Sequence, residues 1–286
     1  MHQLAFYTFT KTSNILKDTE SNRLQYQGYL NSKHAFNKHN TPFTQKIFHL
    51  NTNNAPDSIY LKENLMLGKR VEEFFKLQIS VSDTYEIVLE NIQVQKEKKT
   101  IGELDFILKN LKTRKYYHIE VCYKFYLFDP NIIGDEIDKW IGPNRNDNLQ
   151  KKIKKLSNKQ FPLLYSKEAK EKIPFDIANI EQAVFFKTQL YTPYNSNLKK
   201  IKSINTNAIC GYYISFQKFS TSKLQQKRYH IPKKQQWLIP PSENEIWESY
   251  DNALKKIKTY IDATKSILVW SKNKNGLTES LFITWW

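Results

Sequence analysis

Cysteine, glycine and long apolar runs are all scarce in this chain of 286 residues. Its two cysteines, Cys122 and Cys210, form no CxxC pair and no framework spacing, which argues against structural zinc and a disulfide scaffold. Seven glycines and ten prolines are too few for low-complexity linkers, and no internal repeat stands out. No stretch approaches the roughly 18 apolar residues of a spanning helix. The opening MHQLAFYTFTKTSN lacks the unbroken apolar core of a signal peptide. These absences lead to the expectation of a reduced, cytoplasmic protein. Acidic residues are in deficit too: 28 Asp+Glu against 44 Lys+Arg leave a formal charge of +16.

Such a basic excess fits a polyanionic partner, nucleic acid before an anionic membrane surface. A chain heavy in Lys, Asn and Ile can also acquire that charge from base composition alone, with no binding role. Hydrophobic residues make up 40% and aromatics 14%, enough to bury a core rather than remain disordered. The length allows one large domain or two small ones.

Periodicity predicts a helix from Asp57 or Ser58 to about Leu77, through SIYLKENLMLGKRVEEFFKL. Three strands follow, starting at Tyr85, Thr100 and Tyr116, each alternating and rich in β-branched or aromatic residues. DNLQKKIKKLSNKQ, from Asp147 to Gln160, reads as an amphipathic helix with Leu149, Ile153 and Leu156 inward and Lys151, Lys152, Lys154 and Lys155 outward. Further strands are predicted at QAVFFKTQLY, ICGYYISFQKF, SILVWSK and LFITWW, with a late helix across SENEIWESYDNALKKIKTYI. Helix, three strands, helix, strand is an α/β pattern with a mixed sheet.

IGELDFILKNLKTRKYYHIEVCYKFYL, Ile101 to Leu127, has the pattern of a hairpin with an unusual load of charge. A turn centred on Lys112–Thr113 sets Asp105 opposite Glu120, with Cβ atoms roughly 4.5 to 5.5 Å apart. Alternation groups Glu103, Asp105, His118, Glu120, Cys122 and Lys124 on one face, and Leu104, Phe106, Leu108, Ile119, Val121, Tyr123 and Phe125 on a core face. Opposed carboxylates repel, and a divalent cation between them reverses the sign. Hard oxygen ligands beside a lysine suit Mg²⁺ or Mn²⁺ and metal-assisted phosphodiester hydrolysis. A half-exposed hairpin with Glu103 paired to Lys124 has the same pattern, so spacing alone leaves both readings open.

LGKRVEEFF, GELDF and HIEVCYKFYL, in that order, resemble the PD-(D/E)XK nuclease superfamily. With GPNRND and the basic helix in place, the chain more closely resembles the bacterial domain-of-unknown-function family 1853, from Leu67 to Gln160 and more loosely beyond. The resemblance implies a restriction-endonuclease-like core, a mixed β-sheet flanked by helices, over residues 57–218. Residues 1–56, polar, rich in Asn and Lys and weakly periodic, are expected to form an arm or short helices packed over the core, and 219–286 to extend the same domain. It further implies Asp105 and Glu120 as metal ligands, Glu72 as a helix glutamate acting directly or through water, and Lys124 as the motif lysine. One departure is plain: the superfamily places its lysine two residues after the acid, where this chain has Cys122.

His118 and Glu103 are candidate helpers of that site. Cys122 could be a nucleophile or a small buried filler. His118-x-Glu120 also matches the first half of a zinc-deaminase motif, but no P-C-x-x-C follows. GPNRND, Gly142 to Asp147, could form an anion corner with Arg145 and a helix start at Asp147, or an ordinary turn and cap. Arg145, Lys151, Lys152, Lys154 and Lys155 are the candidate nucleic-acid contacts. The function these signs favour is a Mg²⁺- or Mn²⁺-dependent nuclease, on DNA rather than RNA. The rivals are an inactive nucleic-acid-binding module of the same fold and a structural or interaction protein.

Overall fold

The computed structural model describes residues 16–38, 40–51, 56–196 and 201–286, so the first fifteen residues of the expected arm lie outside the described residues. The described chain begins with β1 (Leu16–Asp18), α1 (Glu20–Asn31), β2 (Lys33–His34), β3 (Lys46–Ile47) and β4 (Tyr60–Lys62). α2 (Leu67–Ser80) leads into three long strands, β5 (Tyr85–Lys96), β6 (Lys99–Asn110) and β7 (Tyr116–Phe128). After β8 (Trp140–Ile141), α3 (Leu149–Lys155) runs through a π-helical turn, Leu156–Gln160, into α4 (Phe161–Leu163), followed by α5 (Lys167–Lys170). Then come β9 (Ile180–Pro193), β10 (Ile209–Ser215), α6 (Phe216–Thr221) and β11 (Arg228–His230). α7 (Tyr250–Asp262), β12 (Ile267–Lys272) and β13 (Thr278–Thr284) complete the set.

One large mixed sheet runs in the order β11-β12-β13-β10-β9-β7-β6-β5, with β2 and β3 on β9 and β8 on β7. The inner neighbours β7, β9, β10 and β13 are parallel; β5–β6–β7 and β11–β12–β13 are antiparallel. Helices cover both faces, so this is an α/β architecture. Phe74 and Phe75 of α2 pack on Phe106, Ile119 and Phe185 on one side. Leu149, Ile153 and Leu156 pack on Tyr126, Val184 and Phe186 on the other. Cover on both faces explains the nearly unbroken burial of β9 from Ala183 to Tyr191, Lys187 and Thr188 included.

The first cluster also takes in Tyr29 of α1 and Phe219, Tyr229, Ile257, Leu268 and Phe282 from the later chain. Gly28 seals α1 against the segment at Leu238: a Cβ there would fall 1.8 Å from the Leu238 carbonyl oxygen. Buried Lys187 donates to the Tyr29 and Leu30 carbonyls at 2.7 and 2.9 Å, capping the end of α1, and burial pushes its pKa down to about 7.

Several boundaries differ from expectation. The helix expected from residue 57 starts only at Leu67. Ile59 and Leu61 are buried and Tyr60 exposed because β4 pairs there with β1. A spacing of two was the strand signal within an otherwise helical run. ICGYYISFQKF divides at Ser215, whose side chain caps α6, and the late helix starts at Tyr250, capped by Ser249.

Next to Lys187, His34 packs edge-on against His49 and Phe185, with ring centroids 4.6 and 5.1 Å away. Burial, then the neighbouring His49 and Lys187, push its pKa down to about 3 from 6.5. The folded imidazole stays neutral while the unfolded one takes up a proton, so this contribution is complete above about pH 6.5 and is lost as the pH falls toward 3. His34→Phe should therefore lessen the loss of stability between pH 7 and pH 4 by about 3 kcal/mol. Urea denaturation at the two pH values measures it; equal losses in the two proteins would remove His34 from the acid limb.

Candidate active site

β6 and β7 pair in the expected register, Phe106 with Ile119 through Lys109 with Tyr116. The ladder stops at Phe106, and Asp105 is the next residue. On the other side of β6, the Glu90/Phe106 and Ile92/Leu104 pairs flank Asn91, whose φ is +51°. Side-chain alternation slips at this point. Phe106 and Leu108 belong to the α2 side, whereas Leu104 and Ile107 pack with Leu163 and Ile173 on the opposite side. The irregularity frees Asp105 to turn its Oδ2 toward the backbone N–H of Val121, which donates to it at 2.9 Å.

The slip corrects the expected grouping of charges. Glu103 lies toward α2, where Lys69 bridges it (3.1 Å) and Glu72 (2.6 Å), and Gln93 donates to it. His118, Glu120, Cys122 and Lys124 lie on the other side, and that side is not a solvated one. α3, the π-helical turn and Phe161 cover it, leaving His118 and Glu120 fully buried and Cys122 nearly so. Both faces of the hairpin are core.

Glu120 is held at both oxygens. His118 Nε2 lies 3.0 Å from Oε1, and Gln160 Nε2 donates to Oε2. Gln182 Nε2 donates to the Phe161 carbonyl at 2.8 Å and lies 3.0 Å from His118 Nδ1, which leaves the imidazole proton on Nε2, facing the carboxylate. Burial, then the Glu120 carboxylate, hold Asp105 well above the usual carboxylate range; the Val121 N–H and Lys152 oppose the shift. Burial likewise raises Glu72, against the pull of Lys69.

Lys124 does not reach Glu103. Its ammonium pairs with Asp147 at 2.7 Å. Asn148, not Asp147, caps α3 by accepting from the Lys151 N–H at 2.7 Å. Lys152, expected on the outer face, turns instead into the cleft, beside the Cys122 thiol. Burial alone would lower its pKa, but Cys122, Glu120 and Asp105 more than offset that and hold the ammonium above its ordinary value. Burial pushes the Cys122 thiol up to about 11, so it is neutral at physiological pH and the carboxylates are the partners that matter. The same shift argues against Cys122 as a nucleophile.

At about 100° per residue, Lys152 lies roughly 60° from Leu149 and 40° from Leu156, on the flank of the buried stripe. That signal was available in the sequence, as was none for Gln160 and Gln182. Lys151, Lys154 and Lys155 are exposed as expected. Arg145 leaves the corner it was assigned to: it bonds Asp129 at 3.0 Å and stacks on Trp286. The cleft is about 440 Å³ and is lined by Glu72, Val121, Cys122, Lys124, Asp147 and Lys152, with the Gly142–Asp147 turn as one wall.

Among the described residues, no three His, Cys, Asp or Glu side chains gather at metal-ligand spacing. Two carboxylates suffice for a cation that keeps most of its waters. Beside Glu120, Gln160 Oε1 is buried without a hydrogen-bond partner, an oxygen that a cation or its water would satisfy. The donor set therefore fits Mg²⁺ or Mn²⁺.

A large mixed sheet flanked by helices on both faces makes this an α/β protein. The family described as "Domain of unknown function (DUF1853)" matches residues 3–279, and the chain belongs to that family. No curated protein and no solved structure matches it. Among the described residues, no helix is long and apolar enough to cross a membrane.

Proposed function

We propose that this chain is a cytoplasmic, divalent-metal-dependent nuclease with a PD-(D/E)XK-type, restriction-endonuclease-like core, acting on DNA in preference to RNA. One observation carries the reading: Asp105 and Glu120, two mutually repelling carboxylates on adjacent strands, are buried beside the Lys152 ammonium. A Mg²⁺ or Mn²⁺ ion there would hold the scissile phosphate and lower the pKa of an attacking water. Asp105 and Glu120 would hold that ion. His118 and Gln160 fix the Glu120 carboxylate, and Glu72, tied to Lys69, would act on the ion directly or through water. Lys152 donates to the phosphoryl oxygen that gains charge. Plasmid cleavage that requires Mg²⁺ and is lost in EDTA tests the reading.

A second reading, a binding module without chemistry, draws support from Cys122 at the motif position and from Lys124 paired with Asp147. Binding of DNA without cleavage by any divalent metal would select it. In either case Lys151, Lys154 and Lys155 track phosphates. Replacing all three with Ala should flatten the dependence of log affinity on log salt by about 0.9 per lost contact on duplex DNA. An unchanged slope makes that face merely solvated. Absence of salt-dependent binding altogether would favour an interaction protein.

A further inference from the structure

The Gly142–Asp147 turn is a wall shared by two cavities. Gly142, Asn144 and Asp147 face the candidate cleft. Arg145, with a left-handed backbone (φ +61°), faces a second cavity of about 860 Å³ together with Trp286, Tyr213, Tyr194 and Lys218. Tyr213 and Trp286 meet at 5.4 Å between ring centroids, and the Arg145 guanidinium carbon lies 4.5 Å above the Trp286 ring. Only Nη1 of that guanidinium is engaged, by Asp129; Nε and Nη2 carry no bond among the described residues. Lys218 is exposed and makes no ion pair among the described residues.

Aromatic rings beside uncommitted cationic donors recognise a planar base and its phosphate together. A purely apolar ligand would leave the guanidinium donors unpaired, and a bare anion would leave the rings unused. A paired base cannot offer its face. We infer that this cavity binds an unpaired nucleotide, its base against Trp286 and Tyr194 and its phosphate on Arg145 and Lys218. Resting on the nuclease reading, this nucleotide flanks the segment held in the cleft, across the Gly142–Asp147 turn. The substrate class is then DNA with a single-stranded tail or flap.

The test uses the full chain carrying Asp105→Asn, so that nothing is cut, with Lys218→Glu or Tyr194→Leu added. Fluorescence anisotropy in EDTA compares a hairpin duplex bearing an oligothymidine tail with the same hairpin made blunt. The tailed probe should bind more tightly, and each added substitution should weaken it by about tenfold while leaving the blunt probe unchanged. Lys218 is an exposed residue, so its replacement leaves the core intact. Equal losses on both probes, or none on either, overturn the site. Cleavage is scored separately in the unsubstituted chain. Tail preference without Mg²⁺-dependent cleavage defeats the nuclease reading and leaves the nucleotide site standing; cleavage without tail preference does the reverse.

Discussion

Asp105→Asn should lower metal-dependent cleavage by roughly a hundredfold or more and weaken Mn²⁺ binding measured by calorimetry. The substitution removes a charge while keeping an oxygen for the Val121 N–H, so the irregular stretch of β6 has no reason to unfold. It should even raise the melting temperature of the metal-free protein, because the carboxylate it removes is desolvated and faces Glu120. Loss of cleavage with gained apo stability distinguishes a functional carboxylate from a structural one. Equal Mn²⁺ affinity in both proteins would put the metal elsewhere.

Lys152→Met should lower turnover by about two orders of magnitude, the scale of one lost transition-state donor, while Lys124→Ala has a far smaller effect. Methionine keeps an apolar stem from α3 in the cleft, and single-turnover rates separate the chemical step from binding. The lysine that the motif led one to expect on β7 is engaged by Asp147, whereas Lys152 lies among Cys122, Asp105 and Glu120. Cys122→Lys added to Lys152→Met should recover part of the rate by returning an ammonium to the strand. Full activity in Lys152→Met, with none in Lys124→Ala, would restore the β7 lysine to that role.

The register of the hairpin was legible because a polar turn and two apolar alternations permit only one pairing. Its environment was not. Glu120 and His118 sit on a face that alternation marks as polar, yet α3 and Phe161 cover it, and the covering element is remote in sequence. The slip at Asp105 was likewise invisible, since it depends on the left-handed Asn91 of a neighbouring strand. Lys152 was misassigned because four lysines in a row of five residues mask which one flanks the buried stripe. The strand at Tyr60–Lys62 was absorbed into a helix because its partner, β1, carries little strand signal of its own.

The Gly142–Asp147 turn is fastened by residues far along the chain. Ser266 donates to the Asn144 side chain and to the Pro143 carbonyl, and Trp286 Nε1 donates to that same carbonyl at 3.0 Å. During synthesis the carboxylates of β6 and β7 therefore emerge long before the groups that hold the wall beside them. Secondary structure around Asp105 can form early from local contacts, but the cleft waits for long-range docking of the β12–β13 hairpin. A ribosome-bound chain lacking that hairpin carries the acidic residues without a finished groove beside them.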